Sequence, residues 1–364
     1  MHDRMIRHLL LTSMMAAAVV GHLTLTGCGA KMALSDLIDE VPATPVFSGK
    51  FITPLMPDHP SAHGSTVIAL PSGEVLAAWY AGEGEKRSDV AIFVSRLAPQ
   101  STTWSEPKIL IDHPGLSEGN PVWFMHPDGR LFLYYVTMYG NSSWDTCKIH
   151  YRVSRDQGHT WGDEFTLREE LGWMTRHRPI VLGNGDFVFP LYNEIRWSAE
   201  FLISSDQGRT WTHSQSLVSY PLNLQPSVIE RSDSSLVAYM RADGGKLLKS
   251  RSADYGQSWS PVRFSGLPNP NASAMAINLL GGKVGIVYND SPNSRDHLTL
   301  AISEDGGDTF PVKRLIQPVG GDYHYPYIDQ ADDGTIHITY TYFRDTIKHV
   351  MCNEAWVRSG EVAE

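Results

Sequence analysis

Cysteine is nearly absent: Cys28, Cys147 and Cys352 are the three that 364 residues contain. Three thiols cannot build a disulfide framework. Neither Cys147 nor Cys352 stands in a metal-ligand spacing, so no metal and no cofactor is expected. Basic charge is also short, with 30 Lys and Arg against 40 Asp and Glu and a formal net charge of −10. That argues against nucleic acid, whose phosphates call for a cationic face. Long apolar runs are missing apart from Leu9 to Val20, which is too short to span a bilayer as a mature helix. No later stretch holds a helical period. What the chain does have is turn formers and aromatics: 31 Gly, 22 Pro, 10 Trp and 15 Tyr, at 42% hydrophobic residues. This composition fits an all-β protein with many turns and one large core.

The first residues read as an address. Arg4 and Arg7 precede the apolar run, so residues 1–27 are expected to be a signal peptide. Leu25-Thr26-Gly27-Cys28 resembles a bacterial lipobox. The resemblance implies lipidation of Cys28, a tether over residues 28–45 and a membrane as partner through that anchor. Gly29 rather than aspartate follows the cysteine, which implies the outer membrane within the bacterial cell envelope, facing the periplasm or the surface. An ordinary secretory peptide is the alternative.

One phrase then recurs four times. Ser154-Arg-Asp156-Gln-Gly158-His-Thr160-Trp161 is repeated from Ser204 to Trp211, from Ser252 to Trp259 and from Ser303 to Phe310, always as S-x-D-x-G-x-[ST]-[WF]. The spacing is 50, 48 and 51 residues (154 to 204, 204 to 252, 252 to 303), a period that signals a propeller or solenoid. Chemically the phrase is a turn, because Asp bonds to nearby amides, Gly takes a positive φ and the aromatic seals the layer beneath. Runs of Val, Ile, Leu, Tyr and Phe between Gly, Asp and Pro turns mark six units of four strands. These units begin near His63, Asn120, Arg178, Gln225, Asn271 and Tyr325. A six-bladed β-propeller over residues 46–358 is predicted, with Val46 to Thr53 closing the ring and 359–364 as a tail. A monomer is expected.

In a propeller, functional side chains recur where the inner strand of each blade begins and in the loop between its second and third strands. The first offset holds His63, Asn120, Arg176, His177, Arg178, Gln225, Asn271, His324 and Tyr325. The second holds Glu83 to Asp89, Tyr139 to Trp144, Glu194 to Trp197, Arg241 to Asp243, Asp290 to Arg295, and Tyr342 to Arg344. Polar groups converging on one rim above apolar strands describe a small-molecule site.

The repeated phrase resembles the Asp-box of the sialidase (neuraminidase) superfamily, the BNR repeat, and the likeness covers nearly all of the chain after the tether. It implies a glycoside hydrolase acting on an acidic glycan. Within Ala81 to Arg96 the family's acid/base aspartate falls on Asp89, and Tyr239-Met-Arg241 and Asn289 to Arg295 place carboxylate-binding arginines on Arg241 and Arg295. The nucleophilic tyrosine, which the superfamily uses as an exception among glycosidases, falls on Tyr325. The chain departs twice from the pattern. His63-Gly-Ser stands where sialidases open with Arg-Ile-Pro, and Gln225 stands where they carry the glutamate that deprotonates the tyrosine. Arg176 and Arg178 are expected to compensate in substrate binding, together with His63 and Gln225, and Glu194 to supply the missing carboxylate. Two alternatives remain open: a lyase or hydrolase of uronate glycans using His63 and Tyr325, and a glycan-binding lipoprotein without catalysis.

Overall fold

The computed structural model describes residues 44–140 and 143–360. The expected signal peptide and the lipidation of Cys28 fall outside the described residues.

Strand β1 (Phe47–Phe51) comes first. Blade one follows as β2 (Ser61–Ala69), β3 (Val75–Gly82), β4 (Ala91–Leu97) and β5 (Lys108–Ile111). Blade two is β6 (Ser117–Met125), β7 (Leu131–Met138), β8 (Cys147–Ser154) and β9 (Phe165–Arg168). Blade three is β10 (Trp173–Thr175), β11 (Ile180–Val181), β12 (Phe187–Asn193), β13 (Ser198–Ser204) and β14 (Thr212–His213). Blade four is β15 (Asn223–Glu230), β16 (Leu236–Ala242), β17 (Lys246–Ser252) and β18 (Arg263–Pro268). Blade five is β19 (Met275–Asn278), β20 (Val284–Asn289), β21 (Leu298–Ser303) and β22 (Val312–Leu315). Blade six is β23 (Tyr323–Gln330), β24 (Ile336–Tyr342) and β25 (Thr346–Cys352), after which α1 (Glu354–Arg358) ends the fold.

Each sheet is antiparallel, and the six sheets form a six-bladed β-propeller. Second strands such as β3 and β7 are buried along their whole length, because neighbouring blades cover both faces; this is why Leu131 to Val136 reads as an unbroken apolar run. Outer strands such as β5 are short and largely exposed, which limits edge-to-edge pairing. Blade six would carry an open edge after β25, and β1 fills it, with Phe47 opposite Cys352 and Phe51 opposite Lys348. The ring closes through the strand expected from Val46 to Thr53.

The four repeated phrases make one turn four times. In the first, Ser154 Oγ donates to Asp156 Oδ1 (2.7 Å) and accepts from Gly158 N (2.7 Å), while Thr160 donates to Asp156 through N (2.8 Å) and Oγ1 (2.6 Å). The same bonds recur around Asp206, Asp254 and Asp305. The terminal aromatic seals a seam between blades: Trp259 stacks on Phe201 of blade three at 4.2 Å, and Phe310 meets Tyr239 of blade four edge-on at 6.0 Å. Because these turns follow the third strand of a blade, they lie at the opposite end from the loop between second and third strands, and hence opposite Asp89 and Tyr325. Cys147 and Cys352 are buried free thiols in blades two and six.

The connection from β5 to β6 contains a titratable lock. His113 Nδ1 lies 2.7 Å from Glu118 Oε1 and its Nε2 lies 3.2 Å from Glu164 Oε2, so one imidazole bridges two carboxylates. The hydrogen bond to Glu118 raises the His113 pKa, and burial raises that of Glu118. For His113 the stabilisation is complete below the unfolded value of about 6.5 and is lost as pH rises through the higher folded value. The raised Glu118 pKa acts in the same direction. In thermal melts the Tm advantage of the unmodified protein over His113→Gln should therefore be greatest below about pH 6.5 and shrink as pH rises above it. A Tm difference that stays constant with pH would remove His113 from the account.

Candidate active site

One backbone device aims the central side chains. Gly64, Asn120, Gln225, Asn271 and Tyr325 all have positive φ, from +43° at Asn120 to +64° at Gly64. In β2, β6, β15 and β23 the ladder register slips at this point. A bulge of this kind re-aims one side chain, and here Gln225 and Tyr325 are brought together, with Gln225 Nε2 on Tyr325 Oη. Positive φ is unfavourable for a tyrosine and persists where the surroundings hold it. Gly64 has a further reason to be glycine, since a Cβ there would lie 2.4 Å from the Tyr80 ring.

These bulges assemble the predicted cluster around Tyr325. Its Oη accepts from Gln225 Nε2 at 3.2 Å and from Arg241 Nη1 at 3.4 Å. The His63 ring meets the Tyr325 ring edge-on, with centroids 4.5 Å apart. Arg241 Nε donates to Asn271 Oδ1 at 2.7 Å, and Arg295 Nη2 donates to the Asn271 carbonyl at 2.6 Å, so one asparagine aligns both guanidinium groups. Arg295 also donates through Nη1 to His324 Nδ1 at 2.5 Å, while His324 Nε2 faces Asp322 Oδ1 at 2.7 Å. Those partners assign the neutral Nε2-protonated tautomer. Burial, then the Arg295 charge, pushes the His324 pKa down to about 4 despite Asp322.

His63 is buried, and its pKa is held well below the usual value first by burial and then by Arg344, His324, Arg176 and Arg295. It is therefore a neutral imidazole, and both its ring nitrogens lack a protein partner. Asp89 is exposed on the loop after β3, where its Oδ2 accepts from Glu83 N at 2.6 Å. Glu194 is half-buried on the loop after β12; burial raises its pKa, and Arg241 and Lys86 partly offset this.

Two expectations need correction. Arg178 is not part of this cluster: its Nη1 donates to Asp329 Oδ1 at 2.5 Å, in a cavity of about 840 Å³ at the opposite mouth of the channel. Arg176 is central but closed to a substrate, being 1% exposed beneath Tyr325. It donates to the carbonyls of Tyr325 (2.7 Å), Pro326 (3.2 Å) and Ser65 (3.1 Å) and to Ser273 Oγ (3.2 Å). Its Cζ lies 4.8 Å from the Tyr325 ring centroid, so it supports the tyrosine from below. The two arginines separate because blade three breaks its inner strand between β10 and β11, where Pro179 lacks a donor for the ladder.

The structure also adds residues that the sequence offered only as parts of longer stretches. Arg344, on the turn after β24, pairs with Glu85 at 2.6 Å, and Glu85 accepts from Trp144 Nε1 at 3.2 Å. Tyr192, which lay in none of those stretches, accepts through Oη from Asn120 Nδ2 at 3.0 Å. The signal for Arg344 was its position at the second repeat offset.

The arrangement offers two aligned guanidinium groups for a carboxylate, a phenol oxygen between donors, and an exposed carboxyl on the adjoining loop. Comparison with known proteins identifies the family. The chain matches the BNR repeat-like domain family over residues 73–338. It is similar to a sialidase of Micromonospora viridifaciens, at 27% identity over 284 residues, covering 70% of this chain and 42% of that protein. The chain thus spans less than half of that relative. Among solved structures, a Hadza microbial sialidase superposes with a TM-score of 0.71 at 20% identity, over 84% of this chain and 68% of the other. The leech intramolecular trans-sialidase does so with a TM-score of 0.73 at 15% identity, over 85% and 71%. At these identities the superpositions speak for the fold alone. With the family match spanning most of the propeller, the chain belongs to the BNR repeat-like domain family of the sialidase superfamily.

Proposed function

We propose that the protein is a sialidase-family exo-glycosidase that hydrolyses a terminal acidic sugar, sialic acid first among candidates, from glycans. The observation that carries this reading is the placement of Tyr325 Oη within 3.4 Å of Arg241 Nη1, with Arg295 aligned to the same Asn271. In this reading Arg241 and Arg295 grip the sugar carboxylate, and Tyr325 Oη attacks the anomeric carbon. A neutral phenol brings no second negative charge toward an anionic substrate. Asp89 donates a proton to the leaving oxygen and later takes one from the attacking water. Gln225 cannot remove the phenol proton. Glu194, made more basic by burial, is the carboxylate on this rim suited to receive it. Arg4, Arg7, the run from Leu9 to Val20 and Cys28 support a lipid anchor in the bacterial cell envelope.

One observation favours a second reading. His63 is a neutral imidazole against Tyr325, which suits proton abstraction from a uronate once its ring, 2% exposed, is uncovered. The test is a screen of the purified protein against sialosides and uronate oligosaccharides. Release of free sialic acid is the expected result. A new ultraviolet-absorbing unsaturated uronate would instead establish a lyase, and binding without turnover would leave glycan recognition alone.

A further inference from the structure

The rim holds a cation already engaged by a carboxylate of the chain itself. Arg344 follows Phe343 on the three-residue turn, 343–345, between β24 and β25, and both have positive φ, +54° and +62°. Such a turn points its side chains in a defined direction. The Arg344 carbonyl accepts from Ala62 N at 3.0 Å, which ties the turn to β2 next to His63. The guanidinium reaches blade one, where Nη1 donates to Glu85 Oε2 at 2.6 Å. Glu85 is held a second time, through Oε1, by the Trp144 indole. Arg344 and Glu85 are both partly exposed, so neither is locked away from a ligand. Within this one rim Arg241 and Arg295 hold neutral partners, Asn271 and His324, and have no carboxylate at ion-pair distance among the described residues. Arg344 alone of the three is neutralised.

We propose that Arg344 is an anion-binding residue masked by Glu85, and that the carboxylate of an incoming acidic sugar displaces Glu85 from it. The proposal rests on the reading of this rim as an acidic-sugar site. The Trp144 indole leaves Glu85 one partner, at Oε1, once the Glu85 side chain has swung off Arg344, so Arg344 exchanges one carboxylate for another. The field of Arg344 already reaches the centre of the site, where it is the leading charge acting on His63. Affinity is then set by competition. Glu85 discriminates against neutral sugars, which cannot replace its charge, and lowers the affinity for acidic ones.

The test is a double-mutant cycle on the whole protein, titrated calorimetrically with free sialic acid, with glucuronic acid, and with the methyl ester of each as a neutral control. Glu85→Gln should tighten acid binding by about two- to fivefold, the value of a partly exposed ion pair. Arg344→Gln should weaken it by roughly ten- to 100-fold. In the Arg344→Gln background, Glu85→Gln should change nothing, because the residue it unmasks is gone. The esters should bind all four proteins alike. A merely structural ion pair would show Glu85→Gln weakening binding, or changing it equally in both backgrounds, and either result would overturn the proposal alone. Failure of the unmodified protein to bind either acid would overturn the acidic-sugar reading and the proposal with it.

Discussion

Tyr325→Phe is expected to lower kcat on an acidic glycoside by about three orders of magnitude or more, while the affinity for the free acidic sugar stays within about twofold. The substitution removes one oxygen and leaves the ring, so the contacts with His63 and with the Arg176 guanidinium persist. The positive φ of +48° is demanded equally of either residue, so folding is not the variable. What is lost is the atom that bonds to the sugar along the reaction path, an interaction that exists in the transition state and not in the ground state. Steady-state kinetics paired with calorimetric binding separates the two. Near-normal turnover in Tyr325→Phe, together with loss of activity in His63→Ala, would sink the tyrosine mechanism and place a histidine-based attack on a uronate in its stead.

Arg241→Ala should act on the other half of that comparison. A charge-assisted hydrogen bond to a carboxylate contributes about 1.5–3 kcal/mol, so Kd for the acidic sugar should rise by roughly ten- to 150-fold. Because Arg241 also donates to Tyr325 Oη at 3.4 Å, kcat should fall too, but by less than in Tyr325→Phe. The methyl ester of the sugar should bind the variant and the unmodified protein alike. Equal weakening for acid and ester would show that Arg241 shapes the pocket rather than recognising charge, and the carboxylate assignment would fail.

The cluster around Tyr325 divides by range. Tyr325, Arg241 and Arg295 were legible because the repeat placed them on the functional rim and the sialidase resemblance fell on them, and the turn chemistry that sets the repeat is local: Ser, Asp, Gly and Thr within seven residues make all the bonds that define it. The same local logic set six units and a closing strand, since hydrophobic runs between turns record which segments pair. Arg176 and Arg178 mark the limit. They are two positions apart, equally basic and equally near the start of a blade, yet one lies beneath Tyr325 and the other faces Asp329 at the far mouth.

Their fate depended on where blade three interrupts its inner strand, and on which carbonyls the other blades brought to the axis. Gln225 and Tyr325 are 100 residues apart, and Glu85 and Arg344 are 259 apart. Sequence by itself determined the repeat, the turns, the closure of the ring and the rim on which chemistry would sit. Tertiary structure decided which of the rim's charges are free, which are masked and which are buried supports, because those properties belong to contacts across the channel, and these exist only once the bulges have aimed the side chains and β1 has closed the circle.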